Sequence, residues 1–370
     1  MDTPISVLMT VYNGGHFLKK SIGSVFNQNF SNFEFLIVDD CSSDGSVALI
    51  KSYSDPRIVL CENKVNQGQT KSLNIGLNKA KGKYIARMDA DDIALPQWLK
   101  KVYNFITKNS VYSVVSPQAL IIDENSKVKQ YTGLPLSYHE VILKNIMESP
   151  INHVGSLMRR EDIVKVGGYD EKYVIAADYD LWTKLLIGGY RLVNMDEILT
   201  AIRIHNVSTG MRGKSIRDAE CIDIMQKNTI NFTNCFLTKN ETRILWKILN
   251  DIKVCDEETR NADELIDKLY DNIKPELGLS NSLIQKVKEE KKQGVFKKRI
   301  YLLLQKNKYD SAKDALREYI QAKGSFNFFG LLYFLSFSPI FTKNIEIIYY
   351  NLLSLLTKMR FSRIIKTLKS

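Results

Sequence analysis

Cysteine is scarce in this 370-residue sequence, and what there is does not pair: Cys41, Cys61, Cys221, Cys235 and Cys255 form no CxxC and have no histidine at a matching spacing. That excludes a zinc site or a disulfide framework as the organising device, and a reducing cytoplasm suits the chain best. Long apolar runs are lacking as well. The nearest, Gly324 to Thr342, is 19 residues without a charge, but only 11 are apolar and Gly330 and Pro339 interrupt it. Spanning a bilayer takes about 20 predominantly apolar residues, so burial at an interface is the better expectation. The opening MDTPISVLMTVYN has no basic stretch ahead of its short β-rich apolar run, so it is not expected to act as a signal peptide. Two phosphate-binding fingerprints are also missing. No GxGxxG follows the first strand, and Gly68-Gln69-Thr70-Lys71-Ser72 lacks the GxxxxGK spacing of a Walker loop.

What is present is an ordinary globular composition, 44% hydrophobic and 25% charged, with an uneven charge distribution. Residues 1–210 hold 23 Lys/Arg against 22 Asp/Glu, residues 211–370 hold 29 against 19, and the last 85 residues alone hold 18 against 6. A basic end of this kind seeks an acidic partner, nucleic acid or anionic lipid. Two domains follow from length and charge together, 1–210 and 211–370.

The first 120 residues alternate strand and helix patterns. Ile5 to Val11, Phe33 to Val38, Ile58 to Cys61 and Tyr84 to Met88 read as strands; His16 to Asn27, about Ser46 to Tyr53 and Thr70 to Ala80 read as helices. This is the βαβ pattern of an α/β fold with a mostly parallel sheet, whose ligands bind beyond the carboxyl ends of the strands. Val111 to Ile122 and His153 to Arg159 are further strand regions, with a polar excursion between them. Asp178 to Gly188 reads as a helix, and Leu199 to His205 as the last strand. Beyond Gly210 the periodicity is helical.

The polar residues at the strand ends carry the chemistry. Asp89-Ala90-Asp91-Asp92 follows a strand directly, and acids separated by one residue in a turn can converge on Mg²⁺ or Mn²⁺, which in turn can hold a diphosphate; a solvated turn capping the next helix is the plain alternative. Asp39-Asp40 ends the second strand at the same edge of the sheet, where it can receive a nucleobase or ribose or simply lead into a helix. Asp178 and Asp180 lie two residues apart on a helix, so their carboxylates point about 200° apart and only one can serve a given substrate.

Four segments in order, ISVLMTVYN, FEFLIVDDCSSDGS, NQGQTKSLNIGLNKAKGKYIARMDADDIALP and VGGYDEKYVIAADYDLW, closely resemble glycosyltransferase family 2, the inverting nucleotide-sugar transferases of GT-A fold. The likeness covers about residues 4–210. Thr10 stands where the family often has Pro, and Ala177 where an acidic residue often precedes the helical Asp. The resemblance implies a GT-A domain and a set of roles; it does not reach the last 160 residues, which the helical periodicity makes an all-α C-terminal region. Thr10 and Tyr12 would line the nucleobase pocket, with Asp40 accepting from the base and Asp39 shaping the turn. Asp89 and Ala90 would face the ribose, Lys71 and Arg203 the phosphates. Asp91 would ligate Mn²⁺ or Mg²⁺ with His205 completing the coordination, Asp92 would be a supporting ligand or a cap, and His153 would sit near the sugar or be structural. Asp178 would be the general base, with Asp180 as its competitor. The donor would be a UDP-sugar and the acceptor a glycan, lipid-linked, in bacterial surface polysaccharide synthesis at the cytoplasmic face of the inner membrane. A nucleotidyltransferase and a basic nucleic-acid-binding protein are the rivals; neither has its recognition motif here, so no nucleic-acid partner is expected.

The tail is a separate matter. Ile345, Ile348, Tyr349, Leu352, Leu355, Leu356 and Met359 are spaced for one helical face, and Lys358, Arg360, Arg363, Lys366 and Lys369 gather beside it. Apolar face plus basic rim is the pattern of a peripheral anchor on an anionic leaflet.

Overall fold

The computed structural model describes residues 3–205, 213–250 and 256–305, together with 311, 312, 314 and 315. The Phe-rich stretch and the amphipathic tail lie outside the described residues.

Nine strands form one sheet: β1 (Ile5–Val11), β2 (Phe33–Asp39), β3 (Ile58–Glu62), β4 (Tyr84–Asp89), β5 (Ile93–Ala94), β6 (Tyr112–Ile122), β7 (Val128–Tyr131), β8 (Leu157–Arg159) and β9 (Arg191–Arg203). Their order is β3-β2-β1-β4-β8-β6-β9-β5, with β7 on β6. β1 to β4 are parallel throughout, as is the long β6·β9 pair; β8 is antiparallel to both its neighbours, and β5 and β7 are antiparallel additions. The parallel core expected from the βαβ pattern is there, extended by a mixed half in which β6 falls on the expected Val111–Ile122 strand and β7 lies inside the polar excursion.

The helices of the α/β part are α1 (Leu18–Phe26), α2 (Ser46–Lys51), α3 (Gln69–Lys79), α4 (Trp98–Lys108), α5 (Tyr138–Asn145), α6 (Arg160–Lys165) and α7 (Ala177–Ile187). Every residue of β1 is buried because helices cover both its faces, which is why it is an unbroken apolar run. Ile5, Val7, Met9 and Val11 point to one face, packing with Leu18, Ile22 and Val25 of α1 and Trp98, Leu99, Val102 and Ile106 of α4. On the other face α3 lies close: a Cβ added to Gly76 would stand 2.2 Å from Leu8 Cδ1. Each large side chain withdrawn from water here contributes roughly 1.5–3 kcal/mol, and the covered strands set a rigid base for the loops at their carboxyl ends.

Beyond residue 212 the described chain is helical: α8 (Lys214–Phe232), α9 (Lys239–Leu249), α10 (Asp256–Tyr270) and α11 (Asn281–Gln305). Two compact units result, one taking residues up to Thr242 plus Asn272–Ile284, the other Arg243–Asp271 and the residues from Gln285 on. Within the second unit Lys288 bridges Asp267 and Asp271, and Lys292 pairs with Asp267. Among the described residues no helix is long and apolar enough to cross a membrane.

Candidate active site

The parallel strands end together. Thr10 lies beside Val38 on one side and Asp89 on the other, and Val11 lies beside Asp39. After β1 the chain turns through Asn13 (φ +51°) and Gly15 (φ +57°). That turn is fastened to the one after β2: the backbone N–H groups of Asn13, Gly14 and Gly15 donate to Ser42 Oγ, Ser46 Oγ and Asp44 Oδ2 at 2.9, 3.0 and 2.9 Å. Burial works against the Asp44 charge, but the bonds from Ser46 and Gly15 win and hold it below the usual carboxylate range. Thr10 is buried, whereas Tyr12 is 54% exposed, an aromatic face left free at the rim of this double turn. An exposed ring on a fastened loop is what base stacking needs.

Asp39, the last residue of β2, and Asp40, just past it, are held differently. Asp40, expected to accept from the base, is taken up within the protein: Asn63 Nδ2 and the Gln67 N–H donate to its Oδ1 at 2.8 and 2.9 Å, and the Gly68 N–H to its Oδ2 at 2.8 Å. It thereby anchors the loop that starts α3. Asp39, expected to shape the turn, does receive the Ser42 N–H on Oδ2 at 2.9 Å, but its buried Oδ1 has no hydrogen-bond partner. Of the four oxygens, Asp39 Oδ1 is the one with no bond inside the protein.

The acidic turn after β4 is braced from below and from the side. Arg87, wholly buried in β4, donates through Nη2 to Asp89 Oδ1 and through Nη1 to the Met88 carbonyl. Gln69 Nε2, at the start of α3, donates to the same Asp89 oxygen at 3.2 Å. Asp92 is buried and accepts the Arg203 N–H at 2.6 Å. Burial, with the charges of Asp91 and Asp89, pushes its pKa well up. It is a brace to β9 and caps no helix, since β5 follows it and α4 starts only at Trp98. Arg203 itself is committed mainly to backbone: Nε donates to the Asp91 carbonyl at 2.9 Å, and Nη1 to the carbonyls of Asp123 at 2.9 Å and Glu124 at 3.3 Å. Its Nη2 alone is left without a hydrogen bond, so any contact to phosphate would run through that nitrogen.

Asp91 meets His205: Nε2 and Oδ2 are 2.9 Å apart. The imidazole is held against the Phe17 ring, centroids 5.0 Å apart, and the Arg203 guanidinium lies over the same ring at 4.5 Å. Burial and the charge of Asp89 raise the Asp91 pKa in spite of the His205 contact. A divalent cation would relieve that repulsion. One hard oxygen and one imidazole suit Mn²⁺ or Mg²⁺ when substrate phosphates and water complete the shell, so Asp91 and His205 fit as its protein ligands. Among the described residues no group of three or more such side chains is placed to hold a metal by itself. Ala90 is half-buried between the acids, and Lys71 is exposed on the first turn of α3.

Asp178 stands in the first turn of α7, half-buried, its Oδ1 accepting the Tyr179 N–H at 2.8 Å. Burial is the main reason its pKa is pushed up to about 6, and the charges of Asp89 and Arg87 both reach it, which brings the base candidate into the neighbourhood of the acidic turn. Asp180 is differently occupied, buried between Lys184 at 3.5 Å and Lys227 at 3.4 Å. His153 bonds the Tyr169 hydroxyl through Nε2 at 2.8 Å and meets the Trp182 ring edge-on; burial and Arg87 hold it well below the usual imidazole range. It is a neutral, built-in histidine.

Sequence reasoning passed over Arg87 and the contact of Gln69 with Asp89. An arginine inside an otherwise apolar strand, YIARMD, is a signal that was there to be read, since charged side chains are rarely buried without a partner. Gln69 acts across a distance that no local pattern encodes.

Compared with known proteins, residues 6–167 match the family model described as glycosyl transferase family 2. An uncharacterized glycosyltransferase of Methanocaldococcus jannaschii is 35% identical over 212 residues, 56% of this chain and 73% of its own. The O-antigen biosynthesis glycosyltransferase WbnJ of Escherichia coli is 30% identical over 243 residues, 62% of this chain and 93% of its own. The E. coli UDP-Glc:alpha-D-GlcNAc-diphosphoundecaprenol beta-1,3-glucosyltransferase WfgD is 31% identical over 185 residues, 50% and 70% of the two chains. Among solved structures, S. aureus TarS 1–349 in complex with UDP-GlcNAc superposes with a TM-score of 0.53 at 16% identity, over 80% of this chain and 89% of that one, a likeness of fold.

Proposed function

This chain belongs to glycosyltransferase family 2 and is a glycosyltransferase, and from that premise we propose that it moves a hexose or N-acetylhexosamine from a UDP-sugar to a glycan hydroxyl with inversion. The observation that carries the proposal is the 2.9 Å Asp91–His205 pair, at the carboxyl ends of the strands where Asp89 and the unpartnered Asp39 Oδ1 also lie. In this reading uracil stacks on Tyr12 beside Thr10, and its ring N–H donates to Asp39. Asp89, oriented by Arg87 and Gln69, receives the ribose hydroxyls, with Ala90 beside it. Asp91 and His205 hold Mn²⁺ or Mg²⁺, which when bound neutralises the diphosphate as the leaving group gains charge. Lys71 and the free Nη2 of Arg203 reach toward phosphate oxygens.

Asp178 is the proposed base. The acceptor oxygen forms a bond to the anomeric carbon, its proton passes to the Asp178 carboxylate, and the bond to UDP breaks with the electron pair leaving on the phosphate. Opposite-face attack needs one such carboxylate, and Asp180, held by two lysines, is not available for it.

The acceptor is proposed to be lipid-linked, in surface polysaccharide synthesis. The names of WfgD, with its diphosphoundecaprenol acceptor, and of WbnJ support this. In the same reading residues 1–210 are the catalytic domain, and the basic helical remainder brings it to the cytoplasmic face of an anionic membrane. The test is to incubate the protein and Mn²⁺ with UDP-, GDP- and dTDP-sugars and follow nucleotide release and thermal shift. Release from a UDP-sugar is expected; response to GDP-sugars alone would sink the donor assignment.

A further inference from the structure

The helix that carries Asp178 begins in a way its own sequence does not secure. Ala176, at the N-cap of α7, provides no side-chain cap. In a capping box the third helical residue, a Glu or Gln, reaches back to the N-cap N–H, but here that residue is Tyr179. The carboxylate comes instead from α8. Glu220 Oε2 accepts the backbone N–H of Ala176 at 2.8 Å and of Ile175 at 2.9 Å, and its Oε1 accepts that of Val174 at 2.7 Å.

One turn along α8, Asp223 Oδ2 accepts from Tyr173 Oη at 2.6 Å and Lys172 Nζ at 2.9 Å. From the other side Thr70 Oγ1, on the first turn of α3, donates to the Tyr173 carbonyl at 2.7 Å. Its neighbour Gln69 is the residue that bonds Asp89. Residues 172–176 are therefore a strap: its N–H groups are tied to α8 and a carbonyl to the helix that touches the donor side. Bonds to an ionised acceptor are roughly twice as strong as neutral ones, and three on one carboxylate is an unusual investment in a segment whose Val174 side chain is 50% exposed.

We propose that Glu220 is a positioning residue for the transfer, fixing the entry of α7 and hence the place of the Asp178 carboxylate relative to the donor. This rests on the reading of Asp178 as the base. A misplacement of about 1 Å costs on the order of 10²-fold in such steps, so the strap has leverage on rate without touching substrate.

The experiment compares wild type, Glu220→Ala, Glu220→Gln and Asp178→Asn. UDP release is measured from the UDP-sugar that the wild type turns over fastest, UDP affinity by calorimetry, and amide hydrogen exchange over residues 172–180. Glu220→Ala is expected to lower kcat about 10- to 100-fold, with donor KM and UDP affinity within about twofold, and to speed exchange at 174–176. Glu220→Gln, which keeps one carbonyl acceptor in place, is expected to recover part of the lost kcat. A Glu220→Ala kcat within about twofold of wild type, or a parallel loss of turnover and UDP affinity, overturns the proposal. Full turnover in Asp178→Asn overturns the base assignment on its own, whatever Glu220 does, so the two failures are told apart.

Discussion

A base is useful only while deprotonated, and burial has moved the Asp178 carboxyl up to about 6. Turnover should therefore fall through an acidic limb near that value, about two units above the limb of an ordinary aspartate; a limb near pH 4 would take Asp178 out of the role. Asp178→Asn is expected to keep UDP affinity while transfer falls about 10²- to 10⁴-fold, whereas Asp180→Asn should hurt far less. The same shift has a cost in stability. Between the ordinary carboxylate range and about 6 the folded state binds this proton more tightly than the unfolded chain, so stability declines as pH rises through that window. Asp178→Asn lacks the decline, and its melting temperature should exceed that of wild type at pH 7 by more than at pH 4. Asp91→Ala acts on different chemistry: turnover and the Mn²⁺ dependence of UDP binding should both disappear, because the remaining His205 alone is a poor site for a hard cation. Substantial Mn²⁺-dependent activity in that variant would reduce the acidic turn to a structural brace between β4 and β9.

At the scale of elements, the turn into β4 is the tightest joint in the parallel half. A Cβ on Gly82 would meet Ser6 N at 2.4 Å and the Ile5 carbonyl carbon at 2.7 Å, backbone that cannot swing aside. The Gly82 N–H donates to Ser6 Oγ at 2.8 Å, and Ser6 Oγ in turn donates to Glu34. Gly82→Ala should cost about 2 kcal/mol or more, seen as a lower denaturant midpoint with the slope unchanged; a midpoint equal to wild type would mean that the joint is slack. The parallel core was legible because each of its strands is an apolar run bounded by turn residues, and its helices show apolar spacing to within a residue or two. In the mixed half β6 was legible in the same way, and the rest was not. His153 to Arg159 looked like a strand, yet only Leu157–Arg159 pairs, the rest being a turn around Gly155 (φ +85°). β7 has almost no buried side chain to mark it, and β9 begins at Arg191, well before Leu199 where its pattern became clear. In the site the same limit applies. The acids were visible as motifs, but which of Asp39 and Asp40 is already satisfied depends on Asn63, Gln67 and Gly68 folding back onto one of them.

Taken whole, the molecule joins a nearly neutral α/β part to a strongly basic remainder, and the membrane reading stands on that remainder. Deleting residues 325–370 is expected to leave UDP-sugar hydrolysis intact and to abolish binding to anionic liposomes at low salt, where each surface Lys or Arg contributes about 1 kcal/mol. Full-length protein that ignores such liposomes would turn the tail into an intramolecular or oligomer contact.

The Asp91–His205 pair spans a sequence separation of 114 residues, and the strand that delivers His205 is seated on β6, two strands removed from β4 in the sheet. Closing so long a loop carries an entropic cost that is met only after the intervening strands have paired. A chain emerging from the ribosome therefore has β1 to β4, with the proposed nucleotide shelf, long before Asp91 and His205 can meet. In the proposed reading a half-made molecule can neither trap the metal nor spend a nucleotide sugar, and the pair serves as a certificate that the sheet is complete.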